Sequence, residues 1–223
     1  MKRFLFSLGF LYMVLSLHAD SIFYINHTQQ LTLQFPSEIK YVDVGSPQIE
    51  VRQLSDARSL TVRAKHENTN NSTLSVVTSN GKYYLYTLAY CHQLPFLGYR
   101  VEKGPLPSSI IGIGQEKTTH FMAPFPIADW SVGSDSVIAA YADGIQNMVR
   151  VKASHSYQQE GSIVLVGHNG SIHTYRLQHS DSLPQLLVQL TDSVSSQALF
   201  LSNPVDINSL QELGQQVLQQ PYM

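Results

Sequence analysis

The stretches Leu74–Tyr90, LSVVTSNGKYYLYTLAY, and Ile163–His179, IVLVGHNGSIHTYRLQH, have the same pattern and decide the fold. In each, two runs of β-branched and aromatic residues flank an Asn-Gly pair, Asn80-Gly81 in the first and Asn169-Gly170 in the second. Asn-Gly between such runs indicates a β-hairpin with a type I′ turn, because both central residues of that turn take positive φ. The sequence therefore predicts two hairpins whose glycines lie 89 positions apart (170 minus 81).

The match between the two halves extends well beyond the hairpins. VGSPQI at Val44–Ile49 corresponds to VGSDSV at Val132–Val137, and LTVRA at Leu60–Ala64 corresponds to VRVKA at Val149–Ala153. Order, spacing and turn residues agree, so the sequence indicates an internal duplication. One continuous sandwich of about 14 strands is the alternative, but two stacked modules explain the repeat more economically.

We therefore predict an all-β chain of two tandem small β-sandwich modules with a short C-terminal helix. The predicted boundaries are a signal peptide at 1–19, the first repeat at 20–92, a linker at 93–116 that leaves room for one strand, the second repeat at 117–191 and a tail with the helix at 192–223. The tail helix is expected to carry one apolar face between Ile207 and Leu218, which packs on its own domain or on a partner.

The first residues have the layout of a secretory signal. Lys2 and Arg3 precede an apolar run, Phe4–Leu17, and Ala19 follows at the position of a cleavage site. A membrane anchor is the alternative, but the run is shorter than the roughly 20 apolar residues that span a bilayer. We expect export to the periplasm or association with the outer membrane. Cys91, the single cysteine, is expected to be a buried and inert thiol.

Composition argues against direct nucleic-acid binding, because 14 basic and 16 acidic residues give a net charge of −2. No catalytic, cofactor-binding or metal-binding residues are predicted. His168 and His173 flank the second Asn-Gly pair, but two ligands are too few for a stable zinc site. Gly112–Gly114 lacks the rest of a phosphate-binding loop, and no GxSxG motif occurs.

Other polar positions receive structural interpretations. Acidic residues in or beside the repeat turns are expected to bind backbone groups, as turn carboxylates commonly do; they are Asp43, Glu50, Asp129 and Asp135. The N-glycosylation patterns that begin at Asn26, Asn71 and Asn169 are expected in exposed loops. Tyr83–Tyr86 could offer a stacking surface, which would suit an exported module that binds a glycan or peptide.

Several of these stretches resemble the N-terminal domain of the TraN family of Bacteroides-type conjugative transposons. In the second half the resemblance lies at Thr118–His120, Pro124–Ile127, Ser131–Ser134 and Asn147–Ala153, followed by Asn169-Gly170. In the first half it is clearest at FPSEIKYVDVGS, Phe35–Ser46, and at Ser75–Tyr90. The tail stretch SLQELGQQVLQQ is similar to the short helix after that domain.

The sequence also departs from the family pattern. IADW, Ile127–Trp130, stands where relatives have Tyr-Val-Asp, and relatives continue into a second β domain. The resemblance implies a non-enzymatic structural subunit of a conjugative type IV secretion apparatus, broadly comparable to the ninth VirB component. It further implies partners among the other channel subunits, in a homo-oligomeric ring or a heteromeric complex, and membrane association only through those partners.

Overall fold

The computed structural model describes residues 21–157, 160–180, 184–191 and 197–199, the last as backbone. Within these residues the chain forms eighteen strands and no helix, so none that could cross a membrane. The predicted signal peptide at 1–19 and the predicted helix at Ile207–Leu218 lie outside the described residues.

The eighteen strands divide into two sets of nine, which we call module 1 and module 2. Module 1 consists of β1 Ser21–Ile25, β2 Leu31–Gln34, β3 Ile39–Val44, β4 Ile49–Gln53, β5 Ser59–Ala64, β6 Ser72–Thr78, β7 Tyr83–Tyr90, β8 Gly98–Arg100 and β9 Gly104–Leu106. Module 2 consists of β10 Ser108–Ile113, β11 Thr119–Met122, β12 Ile127–Val132, β13 Val137–Ala142, β14 Ile145–Ala153, β15 Gly161–Gly167, β16 Ile172–His179, β17 Leu187–Gln189 and β18 Gln197–Leu199.

The two modules have the same topology, strand for strand. Sheet A has the order β1-β7-β6-β3 and sheet B the order β4-β5-β2-β8-β9. Sheet C has the order β10-β16-β15-β12 and sheet D the order β13-β14-β11-β17-β18, which repeats the first pair with every strand number raised by nine. The duplication and the prediction of two tandem β-sandwiches are therefore confirmed.

The interval 93–116, expected as a linker, contains three strands. β8 pairs in parallel with β2, and β9 pairs with β8, so both extend sheet B. β10 pairs in parallel with β16 and is the first strand of module 2. The prolines and glycines of this interval are typical of a loop. In addition, β8 and β9 have only three residues each, which is too short to show the alternation that predicts a strand.

Each sandwich has its own apolar core between its two sheets. Alternate residues of the strands point inward, as the pleat requires. The largest fully buried side chains in module 1 include Phe35, Leu31 and Leu88, and in module 2 they include Tyr157, Tyr175 and Phe121.

The two Asn-Gly hairpins form, but with a different turn from the one predicted. Only the glycines take positive φ, +80° at Gly81 and +77° at Gly170. The N–H of Gly81 donates to the carbonyl of Thr78 at 2.9 Å, and the N–H of Thr78 donates to the carbonyl of Lys82 at 3.0 Å. These bonds define a three-residue loop that ends on a glycine bulge, so the type I′ prediction is wrong.

Sheets B and C pack against each other through their outer faces, so the molecule is a stack of four layers in the order A, B, C, D. The burial patterns reflect this arrangement, because every residue of β2 and of β15 is buried. In the outermost sheets buried and exposed residues alternate, as along β7. A strand buried on both faces thus marks an inner layer.

Candidate functional site

The interface between the modules is built around a small buried polar network. The side chain of Gln30, which precedes β2, donates to the carbonyl of Ser131 at 2.6 Å and accepts from the Ser131 hydroxyl at 2.9 Å. The backbone N–H of Gln30 donates to the Ser162 hydroxyl at 2.9 Å. All three residues are buried, so these bonds satisfy groups that water cannot reach.

Apolar contacts and further hydrogen bonds extend the interface. Leu54 and Leu106 of module 1 cluster with three residues of sheet C, which are Val164, Val166 and Ile172. At another place Arg176 of β16 donates to the carbonyl of Leu94 at 2.8 Å. The modules therefore have a specific packed interface rather than a loose tether.

Two arginines of sheet B reach acidic residues of module 2. Arg52 Nη2 lies 2.7 Å from Asp129 Oδ1, and Arg63 Nη1 lies 3.0 Å from Asp135 Oδ1. Arg63 also contacts Glu50 at 2.7 Å. Burial disfavours the charged guanidinium, but the hydrogen bonds and charges of the two carboxylates outweigh it and raise the pKa of Arg63.

Three of the four acidic residues expected to bind backbone groups thus have ion pairs, and two of those pairs join the modules. The carboxylate of Asp129 additionally accepts from the backbone N–H of Ser55 and of Trp130, so the expectation holds in part for this residue. Asp43 lies on the outer face of sheet A, opposite Ser75. Sequence gave no indication of these cross-module partners.

The outer face of sheet A carries an apolar patch that we call the tyrosine face. Its members come from three of the four strands and are all exposed: Ile22, Tyr24, Tyr41, Tyr83 and Leu85. Tyr41 and Tyr83 flank Val77 in one cross-strand row, and Ser75 contacts the Tyr83 hydroxyl at 3.2 Å. This face corresponds by topology to the outer face of sheet C, which sheet B covers.

The stretch Tyr83–Tyr86 is divided between the two sides of sheet A. Tyr83 and Leu85 belong to the tyrosine face, whereas Tyr84 and Tyr86 are buried in the core. Burial, aided by a hydrogen bond to Glu102, raises the pKa of Tyr84 to about 12. Only the alternate residues of the stretch can therefore form a stacking surface.

A cleft of about 1200 Å³ opens beside the edge strands of module 1, and we call it the arch groove. β3 ends sheet A and β4 ends sheet B, and residues 45–48 connect them as an arch. Val42, Val44 and Val51 line the groove and are only partly buried. Polar and charged residues of both modules surround them: His27, Thr28, Glu50, Arg63, Lys65 and Asp135.

The corresponding arch of module 2 is filled by two aromatic side chains. Trp130 stands at the position of Val42, and Tyr141 stands at the position of Gln53, both 88 residues later (130 minus 42 and 141 minus 53). Their rings meet edge to face with centroids 6.4 Å apart. The stretch IADW, which departs from the family pattern, thus places the indole of Trp130 where module 1 has the smaller Val42 and an open groove.

The two histidines considered for metal binding differ in burial. His173 is buried and stacks on Phe125 with centroids 5.8 Å apart, whereas His168 is exposed in the hairpin loop. Across the described part of the chain, no three His, Cys, Asp or Glu side chains are grouped so that they could hold a metal ion. Gly112 and Gly114 lie in or just after an ordinary strand, β10.

The remaining predicted positions divide between surface and interior. Asn71 and Asn169 are exposed as expected, but Asn26 is buried, and that expectation is wrong. The Asn26 amide donates to the carbonyls of Cys91 and His92 at 2.9 and 2.8 Å and so fixes the end of β7. Cys91 is a partly buried free thiol whose pKa is raised by burial, which reduces its reactivity at neutral pH.

Comparison with known sequences links both modules to one family. The model of a family described as "Domain of unknown function (DUF8473)" matches residues 24–94 and residues 111–183. No curated protein matches the sequence.

Solved structures resemble the chain only distantly. A Bacteroides ovatus protein described as mixed-linkage glucan utilization locus SGBP-B, in complex with a mixed-linkage heptasaccharide, shares 8% identity with a TM-score of 0.23; the match covers 74% of this chain and 46% of that one. The titin domains z1z2 in complex with telethonin share 12% over 70% and 92% of the two chains, with a TM-score of 0.20. Cadmium-bound SporoSAG shares 9% over 73% and 96%, with a TM-score of 0.25. These likenesses carry no argument about function.

Proposed function

The chain belongs to the DUF8473 family, and from that premise we propose that it is a non-enzymatic structural subunit of a conjugative type IV secretion apparatus, exported to the periplasm or the outer membrane. The resemblance to the TraN family supports the apparatus, and the leader pattern at 1–19 supports the location. Membrane association arises through partner subunits in this proposal. DNA is handled by other subunits, since the chain has no basic excess.

The tyrosine face is the observation that carries this proposal. Exposed apolar side chains that gather on one face of a sheet are typical of interaction sites. Within this chain, the topologically equivalent face of sheet C is covered by sheet B. The outer face of sheet C therefore already serves as an interface, whereas the equivalent outer face of sheet A is exposed.

We propose a second copy of the chain as the occupant of the tyrosine face. The middle strand of the face, β6, is uncharged, with Thr73, Ser75 and Val77. The exposed Asp43 lies on the edge strand β3, so two copies can meet over β6 without burying unpaired charge when Asp43 stays at the rim of the contact. Complete burial of a large apolar side chain contributes about 1.5–3 kcal/mol. Five half-exposed side chains therefore roughly balance the about 4–15 kcal/mol that association costs. We expect weak self-association in isolation, strengthened when many copies are held together in one assembly.

Light scattering on the purified protein over a range of concentrations tests this association. The parent protein is expected to show a molar mass that rises with concentration. Ile22→Ser, on the tyrosine face, should stay monomeric at the same concentrations. Ile138→Ser is the matched control, because Ile138 on sheet D is 55% exposed and Ile22 is 54% exposed.

Three outcomes of that experiment distinguish the alternatives. Self-association that Ile22→Ser abolishes and Ile138→Ser preserves supports the homo-oligomeric proposal. The protein could instead be monomeric alone and enter a large complex with detergent-solubilised envelope from cells carrying the conjugation genes. If this complex forms only when Ile22 is present, the occupant of the tyrosine face is another channel subunit and not a second copy. A monomer under both conditions contradicts the proposal.

A second candidate function is an exported module that binds a peptide or glycan. The arch groove favours it, because the groove combines an apolar floor with a polar rim. Of the two ligand classes, the peptide is favoured by the edge strands that border the groove.

A further inference from the structure

We propose that the arch groove is a binding site for an extended peptide segment of a partner, which pairs as an added strand with the free edge of β3. This inference rests on the comparison of the two modules and does not depend on the conjugation assignment. Strand addition at a sheet edge combines main-chain hydrogen bonds with pockets for alternate side chains.

Comparison of the two arches shows what the groove lacks. In module 2 the Tyr141 hydroxyl donates to the carbonyl of Ile127 at 3.4 Å. In module 1 the amide of Gln53, at the equivalent position, lies 3.5 Å from the carbonyl of Ile39. The backbone frame of the arch is thus the same in both modules. Only the aromatic filling, Trp130 against Tyr141, is absent from module 1, where Val42 and Gln53 stand.

Among the strands that the structure describes, β6 is the one neighbour of β3 in sheet A, so the other edge of β3 is the free edge. Val42 and Val44 point into the groove, while Tyr41 and Asp43 point to the outer face. The other edge beside the groove, β4, lies next to module 2, because its Arg52 side chain contacts Asp129 and the Trp130 carbonyl there. A peptide on β3 would therefore place every second side chain against the valines.

The far wall of the groove is continuous with the inter-module interface. Arg63 binds Glu50 and Asp135, and Ser134 and Tyr157 of module 2 also line the cleft. Module 2 consequently limits the groove at one side, and Ile39 limits it at the other, because its N–H already donates to the Ala57 carbonyl at 2.8 Å. The remaining five residues of β3, Lys40 to Val44, form the edge beside which a peptide would lie. At about 3.3 Å per residue, the space suits a peptide of roughly four to six residues.

The charges around the groove specify the peptide further. Arg63 pairs with both acidic side chains of the rim, Glu50 and Asp135, and its single positive charge offsets one of the two negative charges. Lys65, on the same rim, has no ion-pair partner among the residues that the structure describes. The expected ligand is therefore an extended segment with apolar side chains at alternate positions and a carboxylate that reaches Lys65.

Selection from a phage-displayed library of linear ten-residue peptides against the purified protein tests the proposal. Selected sequences should alternate apolar and polar residues and include an acidic one. Synthetic versions should bind Val42→Trp at least tenfold more weakly than the parent, because the indole fills the groove as Trp130 does in module 2. Tyr83→Ser, on the tyrosine face, should bind as the parent does. Lys65→Glu should weaken the acidic peptides specifically.

Hydrogen exchange and a gain-of-binding variant provide independent readouts. A bound peptide should slow exchange of backbone amides in β3, and a melting curve confirms that Val42→Trp is folded. Arg52 donates to the Trp130 carbonyl at 3.0 Å in module 2. The triple variant Arg52→Ala, Trp130→Val, Tyr141→Gln therefore opens the second arch and should raise the stoichiometry from one peptide per chain to two. Failure to select any peptide, or binding that Val42→Trp leaves unchanged, would overturn the proposal whatever the light scattering shows.

Discussion

Ser162 joins the two modules through one hydroxyl group. Its Oγ accepts the backbone N–H of Gln30, and both residues are buried. Sequence could not reveal this contact, because a serine at the start of a strand is unremarkable and its partner lies 132 positions away. The same holds for Arg63 and Asp135, whose pairing depends on how two sheets from different modules face each other. Long-range polar contacts leave no local pattern.

Replacement of Ser162 measures the strength of that contact. Ser162→Ala leaves the Gln30 N–H buried without its acceptor, which costs about 1–3 kcal/mol. We expect the free energy of unfolding, from urea denaturation, to fall by about that amount. Ser109→Ala, at an exposed position on β10, is the control and should change it by less than about 0.5 kcal/mol. Equal losses for the two variants would show that the contact does not stabilise the fold.

Strands and hairpins are the part of this molecule that sequence predicts well. Alternating apolar residues and Asn-Gly pairs place both central hairpins, and the repeat predicts two modules of one topology. The loop type was missed because it depends on whether both Asn80 and Gly81 or only Gly81 takes positive φ. An Asn-Gly pair is compatible with either loop. The short strands β8 and β9 were missed because three residues show no period. The groove itself emerges only when both arches are compared.

Gly81 allows a test at the level of the hairpin. With φ at +80° and no atom within 4 Å of an added Cβ, the cost of a side chain comes from the backbone conformation alone. Gly81→Val should lower the free energy of unfolding by about 1–2 kcal/mol, because β-branched residues strain at positive φ. Gly81→Asn should lose less, since asparagine adopts this conformation more readily. Urea denaturation of both variants decides the matter, and identical curves for valine, asparagine and parent would refute the role assigned to Gly81.

At the scale of the whole molecule, duplication has produced one stack with unlike parts. The outer face of sheet C is covered by sheet B, while the equivalent face of sheet A is exposed. The arch of module 2 is filled by Trp130 and Tyr141, while the arch of module 1 is open. In module 2 both regions are thus covered or filled, whereas module 1 carries both surfaces that we propose as binding sites for partners. Such a division suits a subunit whose function is assembly.

DNA transfer from donor cells tests the central claim most directly. Donors would carry the conjugation genes with the parent gene, a deletion, Ile22→Ser or Ile138→Ser, each variant checked for equal protein level. The account predicts that deletion abolishes transfer, that Ile22→Ser reduces its frequency at least tenfold, and that Ile138→Ser leaves it near the parent value. Unchanged transfer in the deletion strain would contradict the assignment to the secretion apparatus, and equal effects of the two isoleucine variants would contradict the role of the tyrosine face.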